Sequence, residues 1–348
     1  MREESVKATL AIADKFVEWQ DEEGGLSDGK SGYHKPWPFK EHVLYPYSFD
    51  LAFVSHMLYR VYEFSGDEKY KNSADGYARY VVTETPEPQK SMPKATYQYG
   101  IALWSYAQFK KANPKDTSLD EVAKDLYRLL LSRRVDRSPY FTLGYSIGPN
   151  PNYPVDVGKD CAFSNDLTLV GLGLMGYFRA AKSADALFHA IGLSRYFTTE
   201  YEPGTDVGVW CSPLGTWLIG PWKAIGFEIL KKVYSNEAGI TYNGTGVDYL
   251  IQLYEVTCDP KLRYVCLSHL AWSLDKCQFD DGAIGIHGRD DKWVGPTAQA
   301  VSQYARFKKL GMMDKNYISR HKPKVLKALE FLRTHSLPDQ MPRDAYIK

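Results

Sequence analysis

The sequence predicts an all-α protein built from six helical hairpins in a closed double ring, six helices inside and six outside. Three observations lead there. Apolar residues recur at helical spacing in stretch after stretch. Strand-like alternation is rare and short. The helices also come in pairs, with a polar residue and glycine ending the first and a loop leading into the second. Shared among twelve helices, 348 residues leave 29 for each helix and its loop, enough for such a ring.

The first helix covers about residues 5–20, where Val6, Leu10, Ala13, Phe16 and Val17 recur at helical spacing. The second covers 49–64, with Phe49, Phe53, Met57, Leu58, Val61 and Phe64 spaced similarly. Further helical stretches follow at 67–83, 95–111, 119–133, 164–181, 184–200, 213–219, 222–235, 246–257, 260–276, 296–310 and 321–335. Inner helices are expected to start near 46, 94, 164, 212, 242 and 296. Gly171, Gly173 and Gly176 fall inside one of them. Each costs about 1 kcal/mol relative to Ala in a free helix, so their presence predicts close approach of neighbouring backbones. No low-complexity linker divides the chain, and residues 1–348 read as one domain.

Composition narrows the function. Lys and Arg number 43 and Asp and Glu 42, a net charge of +1. A nucleic-acid binder usually carries a clear basic excess. No run of about 18 apolar residues suggests a membrane span. Met1-Arg2-Glu3-Glu4 leads into a helix without the apolar stretch of a signal peptide, so a cytoplasmic location is expected if the chain is full length. Cys161, Cys211, Cys258, Cys266 and Cys277 show no CxxC spacing and read as reduced, buried thiols. GxGxxG, P-loop, HExxH and GxSxG motifs are absent, and no cofactor or metal is expected. The unusual figure is aromatic: 26 Tyr, 15 Phe and 8 Trp. A buried Tyr needs a partner for its hydroxyl. The excess therefore predicts either an aromatic cleft or many tyrosines bridging core and surface.

Three helix pairs repeat the same order, one running from Tyr127 to Arg134 through Gly144 and Gly148 to the helix from Ser164, and in the other two a related turn follows the first helix. Phe16 to Gln20 is followed by Gly24-Gly25, and Ala271 to Leu274 by Gln278, Asp280-Asp281-Gly282 and Gly285. The Gln-x-Asp-Asp-Gly-x-x-Gly turn between paired helices, followed by Trp293 and an inner helix, resembles the (α/α)6 toroid superfamily. That superfamily holds glycoside hydrolases, polysaccharide lyases and sugar epimerases. The resemblance implies an (α/α)6 toroid and a carbohydrate-active enzyme. Squalene-cyclase and prenyltransferase toroids share a similar turn, so an isoprenoid-binding, terpene-cyclase-like toroid is the alternative of another class. The Asp-x-Asp-Asp and Asp-Asp-x-x-Asp motifs of terpene chemistry do not occur.

In such a toroid the loops leading into inner helices surround one mouth of the hollow. The long ones here are 24–46, 85–95, 135–163, 201–213 and 278–295, and loops of this length in a compact domain are usually functional. Loop 24–46 carries Tyr33, His34, Trp37, Lys40 and His42. Aromatic rings stack on sugars, while cations and imidazoles hold their carboxylates or sulfates. Loop 278–295 carries His287, Arg289 and Trp293. His287 titrates near neutral pH, and Arg289 can grip a carboxylate through a two-point fork. Loop 135–163 contributes Lys159 and leads to Asn165 and Asp166. Tyr97 and Tyr99 open another inner helix, with Trp104 further along. Trp210 and Trp217 flank a fourth, and Tyr242 opens a fifth. For each the competing reading is packing, a salt-bridged turn or a helix cap, and Asp166 complements the dipole of its helix.

These residue types suit β-elimination on a uronate-containing polysaccharide. That reaction needs a neutralised carboxylate, a base and an acid. His42 or His287 would serve as base, Tyr97 or Tyr99 as acid, and Arg289 with Asn165 would hold the carboxylate. The alternative is a glycoside hydrolase, with Asp166 paired with Asp50, Asp156 or Asp281 as its two carboxyl groups. A sugar epimerase shares the proton abstraction. The expected partner is an oligo- or polysaccharide, anionic in the lyase reading, with no nucleic acid.

Overall fold

The structure, a computed structural model, describes residues 2–25, 46–84, 96–134, 161–199, 216–218, 240–285 and 292–335. Among these are eleven helices: α1 (Arg2–Trp19), α2 (Pro46–Ser65), α3 (Glu68–Glu84), α4 (Thr96–Ala112), α5 (Asp120–Ser132), α6 (Ser164–Ala181), α7 (Ala184–Thr199), α8 (Ile240–Thr257), α9 (Pro260–Lys276), α10 (Val294–Lys309) and α11 (Lys315–His335). Four very short strands accompany them. β1 (Cys161–Phe163) pairs antiparallel with β2 (Thr216–Leu218), and β3 (Ile284–Gly285) with β4 (Lys292–Trp293).

The helices fall into two kinds. α5 buries Ala123, Leu126, Tyr127 and Leu130, one stripe at helical spacing. α3 and α11 likewise bury one stripe each. α4 buries every residue from Gln98 to Tyr106, so it is enclosed on all sides. This difference separates covering helices from enclosed ones. The helices also group into two compact units. One contains α1 to α5, α6 from Leu172 and α7 up to Leu187. The other contains α6 up to Gly171, α7 from Phe188, α8 to α11 and the four strands.

Local chemistry sets the boundaries. At α9, the Asp259 carboxylate accepts from the Lys261 N–H at 2.8 Å and Pro260 opens the helix, a cap followed by a preset φ. α11 starts at Lys315, six residues before the expected boundary, and runs through Pro323. Residues 213–219 are not all helical as expected. Thr216-Trp217-Leu218 is instead extended, with Trp217 opposite Ala162. A β-branched residue and an aromatic suit that pairing. The predicted helix 222–235 lies outside the described residues.

The glycines of α6 do what the sequence predicts. A Cβ on Gly173 would strike the backbone of Gly100 in α4, and one on Gly171 would strike the Tyr249 ring of α8. The two related turns also match atom for atom. Gln20 Nε2 donates to its own turn at Gly24 O (3.3 Å) and across to Ser73 O of α3 (2.9 Å). Gln278 Nε2 donates to Gly282 O (3.2 Å) and across to Lys324 O of α11 (2.8 Å). Gly24 and Gly282 have φ of 90° and 96°, and a Cβ at either would meet the backbone of the neighbouring helix, at Gly76 and Lys327.

Tyrosine hydroxyls tie many helix seams. Tyr59 donates to Asp75 (2.7 Å), Tyr70 to Asp14 (2.8 Å), Tyr106 to Asp120 (3.0 Å) and Tyr127 to Asp185 (2.5 Å). Tyr77 donates to Phe16 O (2.6 Å), Tyr317 to Leu267 O (2.8 Å) and Tyr249 to Ala190 O. Of the cysteines described in side-chain detail, Cys258, Cys266 and Cys277 are free thiols, and Cys258 is exposed rather than buried. No described helix is long and apolar enough to cross a membrane.

Candidate functional site

Two polar clusters stand out, one in each unit. In the first unit, α2 turns Ser55, Tyr59 and Tyr62 toward α3, where they bond Ala74 O, Asp75 and Glu68. The 100° step of a helix puts Phe53, His56 and Arg60 on the largely opposite side of α2. There Trp104 of α4 meets two of them. Its ring centroid is 5.1 Å from Phe53 and 5.0 Å from His56, both tilted. His56 Nδ1 lies 3.3 Å from Gln108 Oε1. An amide oxygen only accepts, so Nδ1 carries the proton and Nε2 is the accepting nitrogen.

Burial is the main force on the His56 ring and pulls its pKa down to about 4. The Gln108 bond works against that, and the charges of Arg60 and Lys111 add to it. His56 is therefore neutral near pH 7. The surrounding charges satisfy one another. Glu63 takes Lys111 at 2.7 Å and also pairs with Arg60.

In the second unit, Asp248 of α8 is clamped from α10. Gln299 Nε2 donates to Oδ2 at 3.0 Å, and Gln303 Nε2, one turn on, donates to Oδ1 at 3.3 Å. The seam continues with Arg306, which donates through Nε and Nη2 to Glu255 at 3.1 and 2.7 Å. Asp248 keeps some accessible surface, but protein crowds its carboxyl. That desolvation raises its pKa, against the two amides and the charge of Arg306. A carboxyl raised in this way holds its proton longer and suits a general acid.

Asp281 behaves in the opposite way. Burial alone would raise its pKa, but the Lys292 bond at 2.5 Å, the Ala283 N–H at 3.1 Å and the Lys292 charge bring it below the usual carboxylate value. It is a turn residue locked in an ion pair. No three His, Cys, Asp or Glu among the described residues gather to hold a metal.

The sequence-predicted residues are spread unevenly. Trp104 joins the first cluster. Tyr99 is buried in the core of α4, and Tyr97 is half-buried. Asn165 and Asp166 occupy the first turn of α6, and Tyr242 the first turn of α8. Trp217 and Trp293 sit in β2 and β4. Tyr33, His34, Trp37, Lys40, His42, Lys159, Trp210, His287 and Arg289 lie outside the described residues, as does Asp156. Sequence reasoning missed His56, Gln108, Asp248, Gln299 and Gln303. Each lies inside a helix without a motif, and its partner is some 50 positions away.

No protein-family profile and no curated protein matches the sequence. Solved structures do match. The cellobiose 2-epimerase of Bacillus thermoamylovorans B4167 superposes with a TM-score of 0.67 at 11% identity, over 95% of this chain and 87% of that one. The GH76A alpha-1,6-mannanase of Salegentibacter sp. HEL1_6 gives 0.63 at 11% identity, over 95% and 88%. An inactive variant of that mannanase, with two consecutive aspartates replaced, has its own structure with alpha-1,6-mannotriose. A possible member of the GH105 family from Salmonella enterica serovar Paratyphi A gives 0.65 at 12% identity, over 96% and 82%. At such identity the likeness speaks for fold, and it spans nearly the whole chain: the protein has the all-α (α/α)6 toroid fold shared by these enzymes.

Proposed function

We propose that the protein is a carbohydrate-active enzyme, specifically a glycoside hydrolase that uses aspartate acid–base chemistry. The observation that carries this reading is the chain-long likeness to a mannanase, a possible GH105 member and a sugar epimerase. Their common subject is sugar chemistry, and hydrolases are prominent among them. β-Elimination has less support, because the neighbours reported above are hydrolases or epimerases by name.

Hydrolysis requires one carboxyl group to protonate the leaving oxygen and a second to attack the sugar or activate water. Asp248 suits the first role because desolvation holds its proton. We assign the second to Asp166 in the first turn of α6. The mannanase variant points to aspartate chemistry in that protein. Here Asp281 is unsuited, being committed to Lys292. Asp166 and Asp248 belong to the same unit, and their helices meet where Tyr249 covers Gly171. A sugar epimerase is the second reading, favoured by the likeness to the cellobiose 2-epimerase.

The test is a reducing-end assay on neutral oligosaccharides with wild type, Asp248→Asn and Asp166→Asn. Each variant is expected to lower kcat about 100-fold or more. Full activity in Asp248→Asn would remove Asp248 from the role of acid. Isomerised sugar without new reducing ends would favour the epimerase.

A further inference from the structure

We infer that Phe53, His56, Trp104 and Gln108 form a platform for an uncharged sugar ring. This rests on the carbohydrate reading and narrows its substrate class. Phe53 is 36% exposed and lies against Trp104, whose own ring is only 5% exposed. Trp104 is thus a fixed backing, and Phe53 supplies an accessible apolar edge. His56 stands beside the same indole at 5.0 Å. With Nδ1 given to Gln108, the accepting Nε2 makes no hydrogen bond among the described residues. The Gln108 amide nitrogen makes none either, so it remains a donor. One acceptor and one donor at the rim of an aromatic surface match the hydroxyls of a sugar, each of which donates and accepts.

The charges decide between neutral and acidic sugars. Arg60 and Lys111 are both engaged by Glu63, so neither is presented as an unpaired cation. His56 is neutral near pH 7 and offers a lone pair. A uronate carboxylate placed there would meet an acceptor nitrogen and two cations already paired with Glu63, so its lost hydration is only partly offset. A neutral hexose meets no such penalty.

Tryptophan emission reads the platform. The probes are cellobiose, alpha-1,6-mannotriose and a glucuronate trimer, added to the full chain near pH 7. A saturable emission change is expected with at least one neutral sugar and only weakly with the uronate. It should vanish in Trp104→Phe. His56→Ala should weaken binding about tenfold, the equivalent of one lost hydrogen bond of about 1.4 kcal/mol. Phe53→Ala, at an exposed position where folding is little disturbed, should also weaken it several-fold. No response to any probe, an undiminished response in Trp104→Phe, or equal affinity for the uronate would overturn the inference. Turnover of a neutral sugar without a Trp104-dependent response would sink the platform and leave the enzyme standing. Trp104-dependent binding without any turnover would do the reverse.

Discussion

A tyrosine at a helix seam solves two problems with one side chain. Its ring adds apolar area to the core, and its hydroxyl reaches a carboxylate or carbonyl on the neighbouring element. Tyr59 shows this: the ring is 5% exposed, while the hydroxyl meets Asp75, which also holds Lys71 and Asn113. Of the two roles the aromatic excess predicts, bridging core and surface is the one these residues perform. His56 shows the converse, a polar ring half-buried beside an indole. Its pKa is depressed in the folded state, so the unfolded chain takes up the proton first as pH falls. The stability from the neutral ring is fully present above the unfolded value of about 6.5 and is lost as pH drops toward 4. The loss should be on the order of 2–3 kcal/mol. Urea unfolding of wild type and His56→Gln between pH 4 and 7 checks this. The variant should show a shallower acid decline, and equal slopes would show that His56 does not titrate as described.

At the scale of elements, the repeated glutamine turn is one tie that recurs between the helices it joins, α1 with α3 and α9 with α11. Gln20 and Gln278 each close their own turn and bond a carbonyl on the second helix of the pair. Gln278→Ala removes two hydrogen bonds and leaves the Lys324 carbonyl without that donor. A cost of about 1–3 kcal/mol is expected in chemical denaturation, and a change under 0.5 kcal/mol would contradict the tie. Gly173→Ala is the harsher change, because α4 backbone already fills the space. A loss of about 3 kcal/mol or failure to fold is expected, against little effect for Ala180→Gly on a less crowded turn of the same helix. These features were legible because they are local: a Gln-x-Asp-Asp-Gly run and three glycines in one apolar helix. The β1–β2 pair was not, since three residues at 216–218 find their partner more than 50 positions earlier. Asp248 looked like any polar residue in a helix until Gln299 and Gln303 met it from α10.

For the molecule as a whole, the fold was readable from helix count and pairing, because a period of 3.6 survives in a single sequence. The chemistry was less so. A net charge of +1 argued against a nucleic-acid partner but left neutral and acidic sugars equal. The lyase reading drew on cationic loops, whereas the described clusters offer aromatic rings, amides, a neutral imidazole and a proton-retaining carboxyl. Under the function proposed above, that set would serve glycosidic hydrolysis of an uncharged glycan. The most direct test incubates the full chain with neutral and uronate oligosaccharides and follows two products together. New reducing ends from a neutral glycan, without the ultraviolet absorbance of a C4–C5 double bond, is the predicted result. That absorbance appearing from a uronate, with neutral glycans left intact, would contradict it.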